Sequence, residues 1–333
     1  MSLPNHNENI QVDTSDEDSI FDVESIADTN LSIASSVRDY PYENGRRYHA
    51  YRHGQYPMPN DEQEQDRLDT MHYFFKLLTR GPLFIAPITE LRQPERILDI
   101  GTGTGNWALE MAEEFPNAEV VGTDLSPIQP AWAPPNCRFF IDDAESEWAF
   151  PPHEAFDYIH GRVLAGGIAD WKRLLQQAYN HLKPGGWVEF QEYEIKFTSD
   201  DGTHEQAAMI MEWCQKMIEV SEKFGKPMNI ARDLSGIVQG VGFTNVMDDV
   251  YKAPLGTWPK NRHLKDIGRV AQKIVIEGIE PYTLALFTRI LGHAREETEE
   301  YMEKVRQDLD LKCRSAHLYG RVHFIYGQKP TDG

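Results

Sequence analysis

From residue 95 onwards, short apolar runs alternate with stretches in which apolar residues recur every three or four positions. Runs of the first kind are typical of strands buried on both faces, and the second spacing indicates amphipathic helices. Strands are predicted over residues 96–100, 119–123, 137–141, 155–160 and 187–192, and helices over 106–115 and 171–181. This alternation predicts an α/β fold with a Rossmann-like, doubly wound and mostly parallel sheet.

Helical spacing also occurs on both sides of this core. A helix is predicted to start at Asp61, which forms a capping-box-like pair with Glu64, and to stop before Gly81. Later elements are a helix over 204–224, a strand beginning at 242–246, mainly helical structure over 261–311 and a last strand over 321–326. We therefore expect an N-terminal cap segment with its helix (40–93), a ligand-binding core (94–200), and a remainder with a helical lid and the last strands (201–333).

Composition changes this picture mainly at the N-terminus. Residues 1–36 contain eight acidic residues and no Lys or Arg, so 1–39 is predicted to be a disordered acidic tail. The net charge of −20 argues against direct nucleic-acid binding and against an anionic membrane surface. A secretory signal and an apolar run of membrane-spanning length are not recognisable in the sequence, which favours a cytoplasmic protein.

The candidate chemistry is concentrated in the sequence RILDIGTGTGNWALEMA, residues 96–112. Here a predicted strand containing Asp99 runs into a turn with Gly101, Gly103 and Gly105, and a helix follows. Glycines at this spacing let the backbone pass close to a ligand, and the helix N-terminus offers free N–H groups. Asp124 ends the next strand, where a carboxylate can accept hydrogen bonds from two ribose hydroxyls.

A glycine turn of this kind is compatible with more than one cofactor. Because Gly103-x-Gly105-x-x-Ala108 also satisfies the dinucleotide pattern, a NAD-dependent oxidoreductase is an alternative. Three other features distinguish the chain: Asp99 starts an Asp-x-Gly-x-Gly-x-Gly motif, Asp143-Ala144 closes the third strand, and the sequence LKPGGW leads into the fifth.

Together these motifs resemble the class I S-adenosylmethionine-dependent methyltransferases, over about residues 94–195. The resemblance implies the class I methyltransferase fold and S-adenosylmethionine as cofactor. In that family the glycine loop holds the methionine part, the second-strand acid holds the ribose, and the third-strand Asp reads the adenine. The cofactor-binding residues implied here are Asp99, Gly101, Thr102, Gly103, Gly105, Asn106, Asp124, Leu125, Asp143 and Ala144.

A narrower resemblance, to the fungal LaeA-type methyltransferases, rests on motifs spread over residues 40–195. These motifs are NGRRYHAY (44–51), DEQEQDR (61–67), SPIQP (126–130), DYIH (157–160) and the spacing from Gly167 to Trp171. The family includes methyltransferases of secondary metabolism and nuclear regulators that act with velvet proteins. The resemblance therefore implies methylation of a small molecule or, alternatively, a regulatory subunit with a velvet-type partner, for which the location would be nuclear.

The candidate general base is His160, at the carboxyl end of the fourth predicted strand. The alternative is that His160 only forms hydrogen bonds with the cofactor or a neighbouring loop. Tyr48 is expected to cap the cofactor from the N-terminal segment, with simple packing as the other possibility. No metal site is expected. A small-molecule enzyme would have an apolar, aromatic-lined cavity built from residues 40–59 and 255–300, whereas a regulator would expose an apolar patch.

Overall fold

The computed structural model describes residues 39–89 and 93–331, and the predicted acidic tail falls almost entirely outside them. The described strands form two sheets. The smaller sheet is a hairpin of Tyr42–Glu43 (β1) and Arg46–Arg47 (β2). The larger sheet contains Arg96–Ile100 (β3), Glu119–Asp124 (β4), Cys137–Ile141 (β5), Phe156–Arg162 (β6), Leu182–Tyr193 (β7), Thr244–Pro254 (β8) and Tyr319–Gln328 (β9).

The larger sheet has the strand order β5-β4-β3-β6-β7-β9-β8. Neighbouring strands among β5, β4, β3, β6 and β7 pair in parallel, and β9 lies antiparallel to both of its neighbours, β7 and β8. The chain thus starts at the central strand β3 and adds β4 and β5 on one side. It then crosses to the other side of β3 and adds β6 and β7 there. A sheet of this kind binds ligands at the carboxyl ends of the strands where the order reverses. The predicted doubly wound, mostly parallel sheet is confirmed.

Helices cover both faces of the sheet and its carboxyl edge. Their bounds are Glu62–Thr79 (α1), Asn106–Glu114 (α2), Trp171–His181 (α3), Ala208–Phe224 (α4), Ala231–Val241 (α5), Arg262–Leu286 (α6) and Arg295–Lys312 (α7). Helix α2 packs on one face, and α3 and α5 pack on the other. Helices α1, α4, α6 and α7 share a further core with β8 and β9. Within the described ranges, none of the helices is long and apolar enough to cross a membrane.

The apolar runs of the core strands are buried on both faces of the sheet. In β3, Ile97 packs in the same cluster as Trp107 of α2, whereas Leu98 and Ile100 pack in the cluster that contains Leu174 of α3. Successive side chains of a strand point to opposite faces, so a strand between two helical layers has apolar residues at nearly every position.

The structure confirms the predicted start of α1 and corrects the start of α4. The Asp61 side chain accepts a hydrogen bond of 3.1 Å from the Glu64 N–H. Helix α4 begins at Ala208 and not at residue 204, because Ala207 has the non-helical angles φ −101° and ψ 59°. The Asp308 carboxylate accepts from the N–H of Met209 at 2.9 Å and so caps this later start.

Candidate functional site

The glycine turn after β3 forms the floor of the site. Gly101 and Gly103 have positive φ angles of 63° and 58°, which side-chain-bearing residues rarely adopt. A Cβ atom on Gly101 would stand 2.4 Å from Cδ2 of Leu164, and one on Gly103 would stand 3.6 Å from Cδ1 of Leu68. The missing side chain therefore leaves room for Leu164 at Gly101, and at Gly103 it keeps the backbone open to the cleft above.

Asp124, at the end of β4, holds this turn in place. Its Oδ2 accepts a hydrogen bond of 2.8 Å from the Gly103 N–H, and its Oδ1 accepts one of 2.9 Å from the Ser126 N–H. Burial raises the pKa of the Asp124 carboxyl to about 6, although these backbone donors favour the charged form. The carboxylate stands in the cleft wall with further acceptor capacity on its oxygens.

Asp143 occupies the corresponding position after β5. Its Oδ2 lies 3.3 Å from Nε of Arg52 and accepts a hydrogen bond of 3.0 Å from Ser146 Oγ. Its Oδ1 accepts from the Glu145 N–H at 2.9 Å. Arg52 comes from the N-terminal segment, so this ion pair ties that segment to the edge of the cleft.

These residues surround the main cleft, which lies across the carboxyl ends of β3, β4 and β5 and has a volume of about 1060 Å³, including space open to solvent. Of the site residues predicted from the sequence, those in its wall are Gly101, Gly103, Asp124, Leu125, Asp143 and Ala144. A recess of about 430 Å³ adjoins it on the other side of the glycine turn. The predicted residues in the wall of the recess are Asp99, Gly101, Thr102, Gly103, Asn106 and His160.

Asp99 and His160 form a buried pair under the turn. They are register partners in β3 and β6, and the His160 Nδ1 lies 2.8 Å from Asp99 Oδ1. The other Asp99 oxygen accepts a hydrogen bond of 2.6 Å from Thr102 Oγ1. The His160 ring stacks on Trp107 at 3.8 Å and is buried, and its Nε2 has no hydrogen-bond partner among the described residues. His160 lies in the wall of the recess and not in that of the main cleft.

Two of the predicted cofactor-binding residues lie outside both walls. The Gly105 backbone starts α2, and a Cβ atom there would stand 2.7 Å from Phe139, so this glycine packs against β5. Tyr48 is buried under the Arg289 guanidinium, 4.8 Å from its ring centre. Its backbone forms an isolated β-bridge with Pro59, and Arg289 belongs to the π-helical turn Phe287–Leu291.

The N-terminal segment nevertheless contributes to the main cleft, through residues that the sequence reasoning did not select. Gln55, Tyr56, Met58, Pro59 and Asn60 lie in its wall. Burial raises the pKa of the Tyr56 hydroxyl far above its ordinary value, so that hydroxyl stays protonated. The sequence showed several tyrosines in this segment and gave no signal to distinguish Tyr56 from Tyr48.

A third space, the apolar cavity, lies beside the main cleft over the ends of β7, β8 and β9 and has a volume of about 800 Å³, including space open to solvent. Its wall is predominantly apolar and includes Phe74, Trp213, Met217, Leu255, Ile274 and Val322. The expected contribution from residues 255–300 is present. The expected contribution from 40–59 is wrong, because that segment covers the main cleft.

Arg67 and Tyr282 belong to the walls of both the main cleft and the apolar cavity. The Arg67 guanidinium forms two hydrogen bonds with the Glu64 carboxylate, at 2.9 and 2.6 Å, and lies 5.4 Å from the Tyr282 ring centre. The Tyr282 hydroxyl is hydrogen-bonded to the Tyr193 hydroxyl. These residues come from α1, β7 and α6, so the boundary between the two spaces is built from three distant segments.

Comparisons with known proteins agree with this architecture. A family described as "Methyltransferase domain" matches residues 70–247. The chain is 44% identical over 300 residues to the methyltransferase pytC of Aspergillus terreus, covering 90% of this chain and 91% of that protein. It is 38% identical to the secondary metabolism regulator LAE1 of Cochliobolus heterostrophus, covering 86% and 94%.

Among solved structures, the chain is similar to phosphoethanolamine N-methyltransferase 2 of Haemonchus contortus in complex with S-adenosyl-L-methionine. The sequence identity is 18%, the TM-score is 0.45, and the match covers 90% of this chain and 73% of that one.

Proposed function

Since this chain belongs to the family of methyltransferase domains, we propose that it is an S-adenosylmethionine-dependent methyltransferase whose acceptor is a small, largely apolar molecule. The observation that carries the proposal is the pair of adjoining spaces with opposite character. The wall of the main cleft contains the glycine turn and the carboxylates of Asp124 and Asp143, whereas the wall of the apolar cavity is predominantly apolar. A methyl donor and its acceptor need two such sites in contact, because the transfer joins them directly.

The walls of the main cleft and the recess suit S-adenosylmethionine. The backbone of the glycine turn, with Gly101 and Gly103 in both walls, would accommodate the methionine part. The Asp124 carboxylate would accept hydrogen bonds from the ribose hydroxyls, and Asp143 with Ala144 would contact the adenine. These are the roles that the family resemblance implied for these residues.

S-adenosylmethionine would supply a methyl group that is already activated on a sulfonium. The protein then has to align the acceptor and keep water out. Tyr56, Met58 and Pro59 close the main cleft from the N-terminal side, and Arg67 with Tyr282 forms the boundary towards the apolar cavity. We assign His160 a positioning role, because it is fully buried and holds the Asp99 carboxylate that supports Thr102.

A regulatory subunit is the second candidate, and the names of several relatives favour it. Regulators of secondary metabolism named laeA and LAE1 match most of this chain at 34–38% identity. Exposed apolar side chains that a partner could cover occur next to and on the outer strand β5, with Trp132 74% and Phe140 51% exposed. In this role the protein would act in the nucleus with a velvet-type partner. The apolar cavity favours the enzyme.

The proposal is tested by calorimetric titration with S-adenosylhomocysteine, the demethylated form of the donor, and with NAD in parallel. We expect binding of S-adenosylhomocysteine alone. The protein should then methylate members of a panel of apolar phenols, enols and carboxylic acids, detected by mass spectrometry. Binding of NAD alone would contradict the proposal. Absence of both would favour the regulatory role.

The pKa of Asp124 leads to a prediction about pH. Hydroxyl donors bind a charged carboxylate more strongly than a neutral carboxyl group, and Asp124 takes up a proton as the pH falls through about 6. We therefore expect the affinity for S-adenosylhomocysteine to be constant near pH 8 and to fall below pH 6. In Asp124→Asn the affinity at pH 8 should be roughly tenfold lower, since a charged hydrogen-bond partner is lost. The dependence on pH around 6 should disappear. A variant that keeps the wild-type pH profile would place the ribose elsewhere.

A further inference from the structure

The Arg162 guanidinium, at the carboxyl end of β6, is charged but has no carboxylate partner within ion-pair distance among the residues that the structure describes. Its Nη2 lies 3.1 Å from His72 Nδ1, and its guanidinium carbon lies 5.1 Å from the Phe75 ring centre. By contrast, the buried Arg46 and Arg67 each have a carboxylate at 2.6 Å. The Arg162 side chain is half-buried, and a partly desolvated charge without a partner is costly, so proteins rarely keep one without a use.

Within the described ranges, no carboxylate pairs directly with the charge of Arg162, although Asp99 and Glu110 favour the charged guanidinium from a greater distance. Burial lowers the pKa of His72 to about 4, so the ring is neutral and its Nδ1 accepts from Arg162. The other ring nitrogen of His72 then donates to Glu110, at 3.1 Å. The charge of Glu110 is matched by Lys76, whose Nζ lies 2.5 Å away. Asp99 lies in the same recess, but its two oxygens are engaged by Thr102 and His160.

The position of Arg162 points to a ligand in the recess. Its side chain belongs to the walls of both the recess and the main cleft, and Gly101 and Gly103 separate these two spaces. Burial lowers the pKa of the guanidinium only to about 10, so it stays charged near neutral pH. Helix α2 begins with Asn106 in the recess wall, and its first N–H groups have no side-chain cap. A guanidinium and a helix N-terminus both attract an anion.

We propose that Arg162 binds the carboxylate of the donor's methionine portion in this recess. The proposal rests on the proposed function, and it assigns a residue to a part of the donor that Asp124 and Asp143 do not contact. The sulfur of S-adenosylmethionine lies between the ribose and the amino acid. A donor held by Asp124 at the ribose and by Arg162 at the carboxylate would therefore have its sulfur fixed between two charged contacts. His72, oriented by Glu110, positions the guanidinium.

The test compares two ligands by calorimetry, S-adenosylhomocysteine and 5′-methylthioadenosine, which lacks the amino-acid carboxylate. In Arg162→Met we expect the affinity for S-adenosylhomocysteine to fall by about 10- to 100-fold, the range typical for losing a charge-assisted hydrogen bond. The affinity for 5′-methylthioadenosine should stay within about twofold of the wild-type value, because that ligand has no group for Arg162 to bind. Arg162→Lys should recover part of the loss. Arg138→Met, at an exposed position of β5, is the matched control and should leave both affinities unchanged.

The outcomes separate this inference from the proposed function. If the wild-type protein binds the two ligands equally well, or if Arg162→Met weakens both to the same extent, Arg162 does not contact a carboxylate and the inference is overturned. If the wild-type protein binds neither ligand, the proposed function itself fails. Retained binding of 5′-methylthioadenosine by Arg162→Met also shows that the variant is folded, and Arg162→Gln serves in its place if that protein cannot be purified.

Discussion

Gly103→Val is expected to lower the affinity for S-adenosylhomocysteine by more than about 100-fold, to below the range that calorimetry detects. Two effects combine here. The φ angle of 58° is strained for any side chain and more so for a β-branched one. The new side chain would also fill the space between the turn and Leu68, where a Cβ atom already comes within 3.6 Å.

The control for this prediction separates backbone strain from blockage of the cleft. Gly225 ends α4 with a φ angle of 84°, and a Cβ atom there would have no neighbour within 4 Å. Gly225→Val should therefore lower the melting temperature through the same kind of strain and leave binding unchanged. Wild-type affinity in Gly103→Val would remove the glycine turn from the donor site.

Much of the fold was predictable because the core strands are buried on both faces. The bounds 96–100 and 171–181 agree with the structure, since apolar residues occupy the buried positions of these elements. The bounds 137–141 also agree, although β5 is an outer strand in which Cys137 alone is buried. Helix α5 was not predicted. It contains Gly236 and Gly240, and Ile230, the residue before its start, provides no side-chain cap, so the helix has little helical propensity of its own. It forms because its apolar face packs on the sheet, and that contact is tertiary.

The candidate site also has one part that the sequence predicts and one part that it does not. The glycine turn, Asp124 and Asp143 follow consecutive strands, so their meeting at one edge is a consequence of the strand order alone. Arg67, Arg162 and Tyr282 come from α1, β6 and α6. These elements approach one another only after α1, α4, α6 and α7, which together form a helical cap, have packed on the sheet. Spacing along the chain contains no information about that approach.

The apolar cavity is the part of the site that the helical cap creates. Its walls come from α1, α4 and α6 above the ends of β7, β8 and β9. The glycine turn and the carboxylates belong to the sheet edge, which binds the donor in the proposed function. Donor and acceptor binding are therefore assigned to separate layers of the molecule. Filling the cavity should disturb one of these functions and spare the other.

The apolar cavity can be filled by a substitution at Ala271, which is a small residue of α6 in the cavity wall and is 7% exposed. In Ala271→Trp the indole would occupy the space of the acceptor. We expect methyl transfer to any acceptor found in the panel to fall by more than about 100-fold, since an apolar site excludes a ligand when its volume is taken. The neutral apolar dye N-phenyl-1-naphthylamine should bind the wild-type cavity with increased fluorescence and fail to bind the variant.

The affinity for S-adenosylhomocysteine should stay near the wild-type value in Ala271→Trp, because Ala271 is not part of the main cleft or the recess. Overpacking costs about 1–3 kcal/mol of stability, so the melting temperature should fall without loss of the folded state. Ala294→Trp, at the exposed start of α7, is the matched control and should keep both activities. If Ala271→Trp still methylates the acceptor and binds the dye as the wild type does, the acceptor site lies outside the apolar cavity. Loss of S-adenosylhomocysteine binding as well would mean that the cavity and the main cleft form one continuous site.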